Sequence, residues 1–312
     1  MLLQEELHSR PISGLISSGI GTVLFMWIFS RDKNRPISTR EDMTMRYSNY
    51  IFDLYATLID IHTDQKPIEF WRRIAAIMDA YGAVYEPVEL RTRYRQLIHE
   101  HEVRLAAELG TEFPEIELGD VFIELLLSPP VSRNDGIWGN PREWSDEVLV
   151  RWCSAFAHVF RVISRIKFEL YPDTLTLLDG LKREGKHVYL LSNAQSLFTR
   201  PEMEELGLTS YFEDIFISSE YEMKKPEPRF MQELLDKHQL DPSESVMIGN
   251  EMRSDILMAG RCGVNAILVN HDGYRGVEIA AGFEEARAAA PRERRAEISL
   301  DVCPNLLSLF QI

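Results

Sequence analysis

Four short apolar runs, each followed by polar residues, limit most strongly what this chain can fold into. Tyr50-Ile51-Phe52 runs into Asp53, and Leu190-Leu191 into Ser192 and Asn193. Phe212 to Ser218 precedes Lys224-Lys225-Pro226, and Val246-Met247-Ile248-Gly249 leads into Asn250, Glu251 and Asp255. Runs this short and this continuously apolar read as strands buried on both faces, the pattern of a parallel sheet. Helical segments separate them. Tyr171-Pro172-Asp173 opens one, with proline in its first turn; Leu175, Leu178 and Leu181 recur at helical spacing, and Gly185 stops it. Helices are also expected over 228–240 and 255–262, and a further strand over 265–269. The alternation predicts an α/β fold with a doubly wound parallel sheet. Such sheets bind ligands beyond the carboxyl ends of their strands, so Asp53, Ser192, Lys225 and the 249–255 loop are expected to meet in one crevice.

A carboxylate at the mouth of a buried strand, followed by a turn and the small hydroxyl of Thr57, is suited to nucleophilic catalysis. Taken together and in this order, the four segments resemble the four motifs of the haloacid dehalogenase superfamily of aspartate-nucleophile hydrolases, over roughly residues 48 to 270. The resemblance implies a Rossmann-like core, Asp53 as nucleophile and Mg²⁺ as cofactor. It implies metal ligation by the Asp53 carboxylate, the Tyr55 carbonyl, Glu251 and Asp255. Lys225 would hold the nucleophile and the transferring group by charge. Ser192, Thr57 and the region of Asn193 would meet the phosphoryl oxygens of a small anionic, phosphorylated substrate.

Three departures from that pattern bear on the reaction. Tyr55 stands where family phosphatases carry the aspartate that acts as general acid and base, and Ala56 and Asn250 replace the usual Gly and Asp. Loss of a proton shuttle ordinarily costs about 10²- to 10⁴-fold. A tyrosine at this position also resembles the dehalogenase branch, which attacks carbon without Mg²⁺. The acidic pair Glu251 and Asp255 points instead to a metal-using phosphatase, which is the leading expectation. A 2-haloacid dehalogenase-like hydrolase and a catalytically weak binding or regulatory relative are the alternatives.

Residues 63–168 are expected to form a helical cap inserted between core segments 46–62 and 169–312, with residues 1–45 an N-terminal extension. Phe70, Ile74 and Ile77, then Leu97 and Val103 to Leu105, then Trp152, Phe156, Val159, Phe160 and Ile163 suggest helices with apolar stripes. Of the cap cations Arg91, Arg93, Arg95, His99, His101 and Arg104, any could meet an anionic substrate, while most are expected on a solvated helix face. Beyond Val269 an exposed helix is expected over 283–297, a strand over 296–302, and a segment from Leu306 to Phe310 packing on the core.

The formal net charge of −15 argues against a nucleic-acid partner. The three cysteines, Cys153, Cys262 and Cys303, show no metal-ligand spacing and read as free thiols of a reducing, cytoplasmic compartment. Residues 11–30 carry no charge and reach the lower limit of a membrane span, with basic residues on the C-terminal flank. A competing expectation is that translation starts at Met45, directly before the first strand. A membrane is a partner only if residues 11–30 are translated and inserted.

Overall fold

A computed structural model describes residues 45–271 and 273–311. Residues 11–30, and the segment before the Met45 start expected above, lie outside the described residues. Among the described residues no helix is long and apolar enough to cross a membrane.

The chain enters a central strand, β1 (Asn49–Phe52), then turns through residues 53–58 into β2 (Ile59–Thr63). Helix α1 (Ile68–Ala80), strand β3 (Ala83–Val84), helices α2 (Pro87–Leu109) and α3 (Leu118–Leu127), strand β4 (Val131–Ser132) and helix α4 (Asp146–Ser164) follow. Strand β5 (Arg165–Leu170) pairs antiparallel with β2, so the insert leaves and re-enters the core on a two-stranded ribbon. The insert is therefore not purely helical, because β3 and β4 also pair within it.

The rest of the core alternates α5 (Thr174–Arg183), β6 (His187–Ser192), α6 (Ser196–Glu205), β7 (Asp214–Ile217), α7 (Pro228–His238), β8 (Ser245–Gly249), α8 (Leu257–Arg261), β9 (Asn265–Val269), α9 (Gly276–Ala289) and β10 (Leu300–Cys303). Six strands form one sheet in the order β10-β9-β8-β1-β6-β7, and all its pairings are parallel. The chain moves outward from β1 to β6 and β7, then crosses back to β8 on the other side of β1. This reversal makes the carboxyl end of β1 the switch point at which open α/β sheets bind ligands.

Strand residues alternate between two apolar clusters, as the two-residue period of a strand requires. Tyr50, Phe52, Val188, Leu190, Val246 and Ile248 pack on one face, and Ile51, Tyr189, Leu191 and Met247 on the other. Burial on both faces is why these strands are apolar throughout. Each fully buried large side chain contributes about 1.5–3 kcal/mol. The insert has its own aromatic core, including Trp71, Phe122, Trp152, Phe156 and Phe160, which Phe198 of α6 joins.

Several local expectations shift. Asp173 has φ 75 and precedes the first turn of α5, so Pro172 lies outside the helix. Leu178 and Leu181 are buried as expected, but Leu175 is exposed and Leu177 is buried in its place. Val103 and Val159 also face solvent. The helix expected over 283–297 is α9, which begins earlier, at Gly276, and ends at Ala289. Leu306 and Leu309 do pack on the core.

Candidate active site

Strand ends and the loops that follow them bring five of the sequence-derived residues together. Asp53 follows β1 directly, and its backbone N–H donates to Ile248 O at 2.8 Å, so the β1–β8 ladder carries on to the carboxylate itself. Lys225 Nζ lies 2.5 Å from Asp53 Oδ1 and 2.7 Å from Asp255 Oδ1, and donates to Leu191 O at 3.0 Å. Ser192 Oγ also donates to Asp53 Oδ1, at 3.3 Å. Thr57 Oγ1 faces both Asp53 Oδ2 at 3.0 Å and Asn250 Oδ1 at 3.2 Å.

The Lys225 side chain is 1% exposed, as is that of Asp255, while that of Asp53 is 9% exposed. Burial alone would lower the Lys225 pKa. The charges of Asp255 and Asp53 outweigh it and raise the pKa, keeping the ammonium protonated. Burial pushes Asp255 up to about 6, an effect that Lys225 opposes and the Asp53 charge reinforces.

Asp255 arrives here through a wide turn over Met252–Ile256 with π-helical bonding, a feature frequent at functional sites. Its Oδ2 accepts from Glu251 N at 2.9 Å. The close approach needs the glycine that ends β8, since a Cβ on Gly249 would lie 2.2 Å from Asp255 Oδ2. The Glu251 side chain points elsewhere: it is exposed, and Oε2 accepts from Ser254 Oγ at 2.8 Å. The structure brings Asn250, rather than the Glu251 carboxylate, beside Asp53. Asn193 clamps the Lys225 loop, donating to Lys225 O at 3.1 Å and accepting from Lys225 N at 2.7 Å. Its amide is thereby committed to positioning the lysine.

Ala56 has φ 58, in the left-handed region. A non-glycine residue there costs about 1–2 kcal/mol, of which glycine would return about 0.4–1 kcal/mol through a more flexible unfolded chain. Ala56→Gly is therefore expected to be neutral to about 1.5 kcal/mol stabilising, a rise in Tm of at most about 6 °C. A fall in Tm on thermal melting would contradict the left-handed turn.

Beside this cluster opens a cavity of about 280 Å³, lined by Tyr55, Glu115, Arg161, Asn193, Ala194, Gln195, Phe198 and Thr199. The Tyr55 hydroxyl lies 2.5 Å from Glu202 Oε2 and 3.0 Å from Thr199 Oγ1. Burial and the Glu202 charge push the phenol far above its usual range. Arg161 of α4 donates to both oxygens of Glu202, at 2.8 and 3.2 Å, and lies over the Tyr55 ring at 5.3 Å. A larger cavity of about 380 Å³, lined by Tyr85, Arg93, Ser128 and Pro129 among others, touches none of these groups.

The cations singled out from the sequence all lie on α2, and none lines the cavity beside Asp53. Arg93 bonds Glu100 and Glu124 at 3.2 and 3.1 Å, and His101 bonds Glu124 at 3.0 Å. Arg161, Glu115 and Gln195 line the cavity instead, with Glu202 behind Arg161, and no sequence motif announces them.

The oxygen donors suit a hard divalent cation. Two carboxylates share one ammonium, which leaves excess negative charge, and Asp53 Oδ2 and Asn250 Oδ1 converge on one hydroxyl. Among the described residues no group of three or more His, Cys, Asp or Glu side chains is arranged to enclose a metal. The set fits Mg²⁺, which binds through one or two carboxylates and keeps several waters.

A glyceraldehyde 3-phosphate phosphatase of Methanothermobacter thermautotrophicus is 34% identical over 110 residues, covering 34% of this chain and 49% of that protein. A phosphoglycolate phosphatase of Vibrio vulnificus is 30% identical over 142 residues, covering 46% and 61%. The matched part of the chain thus spans about half to three-fifths of these relatives' length. In structure, a 2-haloacid dehalogenase of Pseudomonas syringae pv. Tomato aligns with a TM-score of 0.52 at 17% identity, covering 85% of this chain and 97% of that one, a likeness of fold alone. The haloacid dehalogenase-like hydrolase model matches residues 47–263, from the strand before Asp53 to the end of α8, and the chain belongs to that family.

Proposed function

We propose that the chain is a Mg²⁺-dependent phosphatase acting on a small phosphorylated substrate, with Asp53 as nucleophile. The observation that carries this reading is the buried Lys225 ammonium shared by Asp53 and Asp255. Lys225 and Ser192 hold Asp53 Oδ1 and leave Oδ2, bonded to Thr57, to face the reacting atom. The relatives named above as phosphatases support the same chemistry.

Asp53 Oδ2 would attack phosphorus while the bond from phosphorus to the leaving oxygen breaks, giving an aspartyl phosphate. Water would then displace Asp53 and release phosphate. Asp53, Asp255, the Asn250 side chain and the Tyr55 carbonyl would hold Mg²⁺, which when bound would supply positive charge to offset the approach of one anion to another. Ser192 and the backbone N–H groups beyond it would donate to the phosphoryl oxygens.

Proton supply to the leaving group is the weak point. The Tyr55 phenol is bound to Glu202 and is harder to ionise than usual. Leaving groups that depart unprotonated, such as those of acyl phosphates, are therefore expected to react fastest. Arg161 lines the cavity, as a carbon-attacking dehalogenase would require of an insert arginine. Two of its nitrogens are nevertheless paired with Glu202, so that reading is not preferred.

The test is phosphate release from acetyl phosphate and 4-nitrophenyl phosphate with Mg²⁺ or with excess chelator. Metal-dependent release, faster for acetyl phosphate, is the expected result. Release from neither compound in Mg²⁺ by folded protein would refute it.

A further inference from the structure

The walls of the cavity beside Asp53 hold an unbalanced charge. Arg161 pairs with Glu202, whose side chain is 4% exposed; Arg165, which also reaches Glu202 at 3.6 Å, pairs with Glu205 at 3.4 Å, and Lys224 pairs with Glu102 at 3.4 Å. Glu115 also lines the cavity, and among the described residues it has no ion-pair partner. Each of its oxygens accepts one neutral hydrogen bond, Oε1 from Gln195 Nε2 at 2.8 Å and Oε2 from Ser218 Oγ at 3.2 Å.

Glu115 is also held in place. Its N–H donates to Glu222 O at 3.1 Å, and the adjacent Pro114 bridges to Met223. The carboxylate thus sits on a strap tied to the loop that carries Lys225. Burial raises its pKa and the nearby Lys224 only partly offsets this, as expected for a carboxylate without a matched cation. A built, partly desolvated carboxylate in a substrate-sized cavity penalises an incoming anion and favours an incoming cation.

We infer that Glu115 selects the leaving group: the cavity takes phosphate esters whose leaving portion carries an ammonium group and disfavours those carrying a carboxylate. Gln195, which holds one Glu115 oxygen and also lines the cavity, would orient the carboxylate toward the ammonium. This rests on the phosphatase reading above and extends it to a substrate class.

Binding can be ranked without turnover. The full chain carrying Asp53→Asn, in Mg²⁺, is titrated by calorimetry with 2-aminoethyl phosphate, 2-hydroxyethyl phosphate and phosphoglycolate, which are close in length and differ in charge. The expected order of affinity is ammonium, hydroxyl, carboxylate, with about tenfold or more between the ends. Adding Glu115→Gln should shrink that spread to about threefold or less, because the charge is lost while an amide can keep bonds to Gln195 and Ser218. A purely structural role for Glu115 would change all three affinities together and leave the ratio unchanged. An equal or reversed order, no measurable binding of any of the three, or a spread unaltered by Glu115→Gln would overturn the inference. Failure of the phosphatase reading appears separately, as absence of Mg²⁺-dependent release from both acetyl phosphate and 4-nitrophenyl phosphate by the unsubstituted protein.

Discussion

Asp53→Asn is expected to lower phosphate release by about 10⁴-fold or more, the scale on which enzymes lose activity when a nucleophile is removed. The substitution is nearly isosteric, and the amide oxygen is too weak a nucleophile to form the acyl phosphate. Stability should move the other way. In the native chain one ammonium serves two buried carboxylates, and burial, reinforced by the Asp53 charge, pushes Asp255 up to about 6. Removing that charge leaves a one-to-one pair between Lys225 and Asp255 at 2.7 Å. Tm should therefore stay level or rise, as when a site organised for chemistry is relieved of a destabilising group. Assays of phosphate release beside thermal melts separate the two effects. Retention of activity within tenfold of the parent would remove Asp53 from the nucleophile's role, whatever happened to Tm.

What the sequence disclosed and what it hid differ for a physical reason. Tyr50 to Phe52, Val188 to Leu191 and Val246 to Ile248 were legible because strand positions buried on both faces must be apolar. Asp53 and Ser192 were legible because a polar group at the end of such a strand has one place to go, the carboxyl edge, and Lys225 because it lies in the loop that leaves that edge after β7. Asp255 was legible as an acid, but its bond to Glu251 N was not, because the wide Met252–Ile256 turn leaves no compositional mark. The Glu251 carboxylate looked equivalent in sequence and faces solvent instead.

The cavity walls were illegible for the opposite reason. Arg161 lies on α4 next to Phe160, and Glu202 lies on α6 two residues before Glu204, which is exposed. In sequence each resembles a residue on a solvated helix face. Only the packing of α4 against α6, with the Phe160 and Phe198 rings stacked at 6.4 Å, turns them toward Tyr55. The basic run of α2 was more conspicuous and is turned elsewhere. Polar specificity groups on a helical insert depend on how helices dock, and docking is a property of the buried aromatic faces, not of the charges themselves.

The same reasoning fixes the largest expected loss of stability. Lys225→Met preserves much of the side chain's volume and removes the only cation within 4 Å of Asp53 or Asp255 among the described residues. Two carboxylates would then face each other in a buried setting, and breaking a buried ion pair from one side costs about 3–5 kcal/mol. For a domain of this size that corresponds to a fall in Tm on the order of 10 °C, with phosphatase activity lost as well. Melting should be done in excess chelator, so that no cation from solution takes the place of the ammonium. A second substitution distinguishes charge from packing. Lys225→Met combined with Asp255→Asn should recover about half the lost stability or more, because the remaining repulsion disappears, and such coupling is what a double-mutant cycle measures. Activity should stay absent in the double variant. If the two substitutions instead destabilise additively, Lys225 holds the site by packing and backbone contact with Leu191, and the shared-ammonium account of the cluster fails.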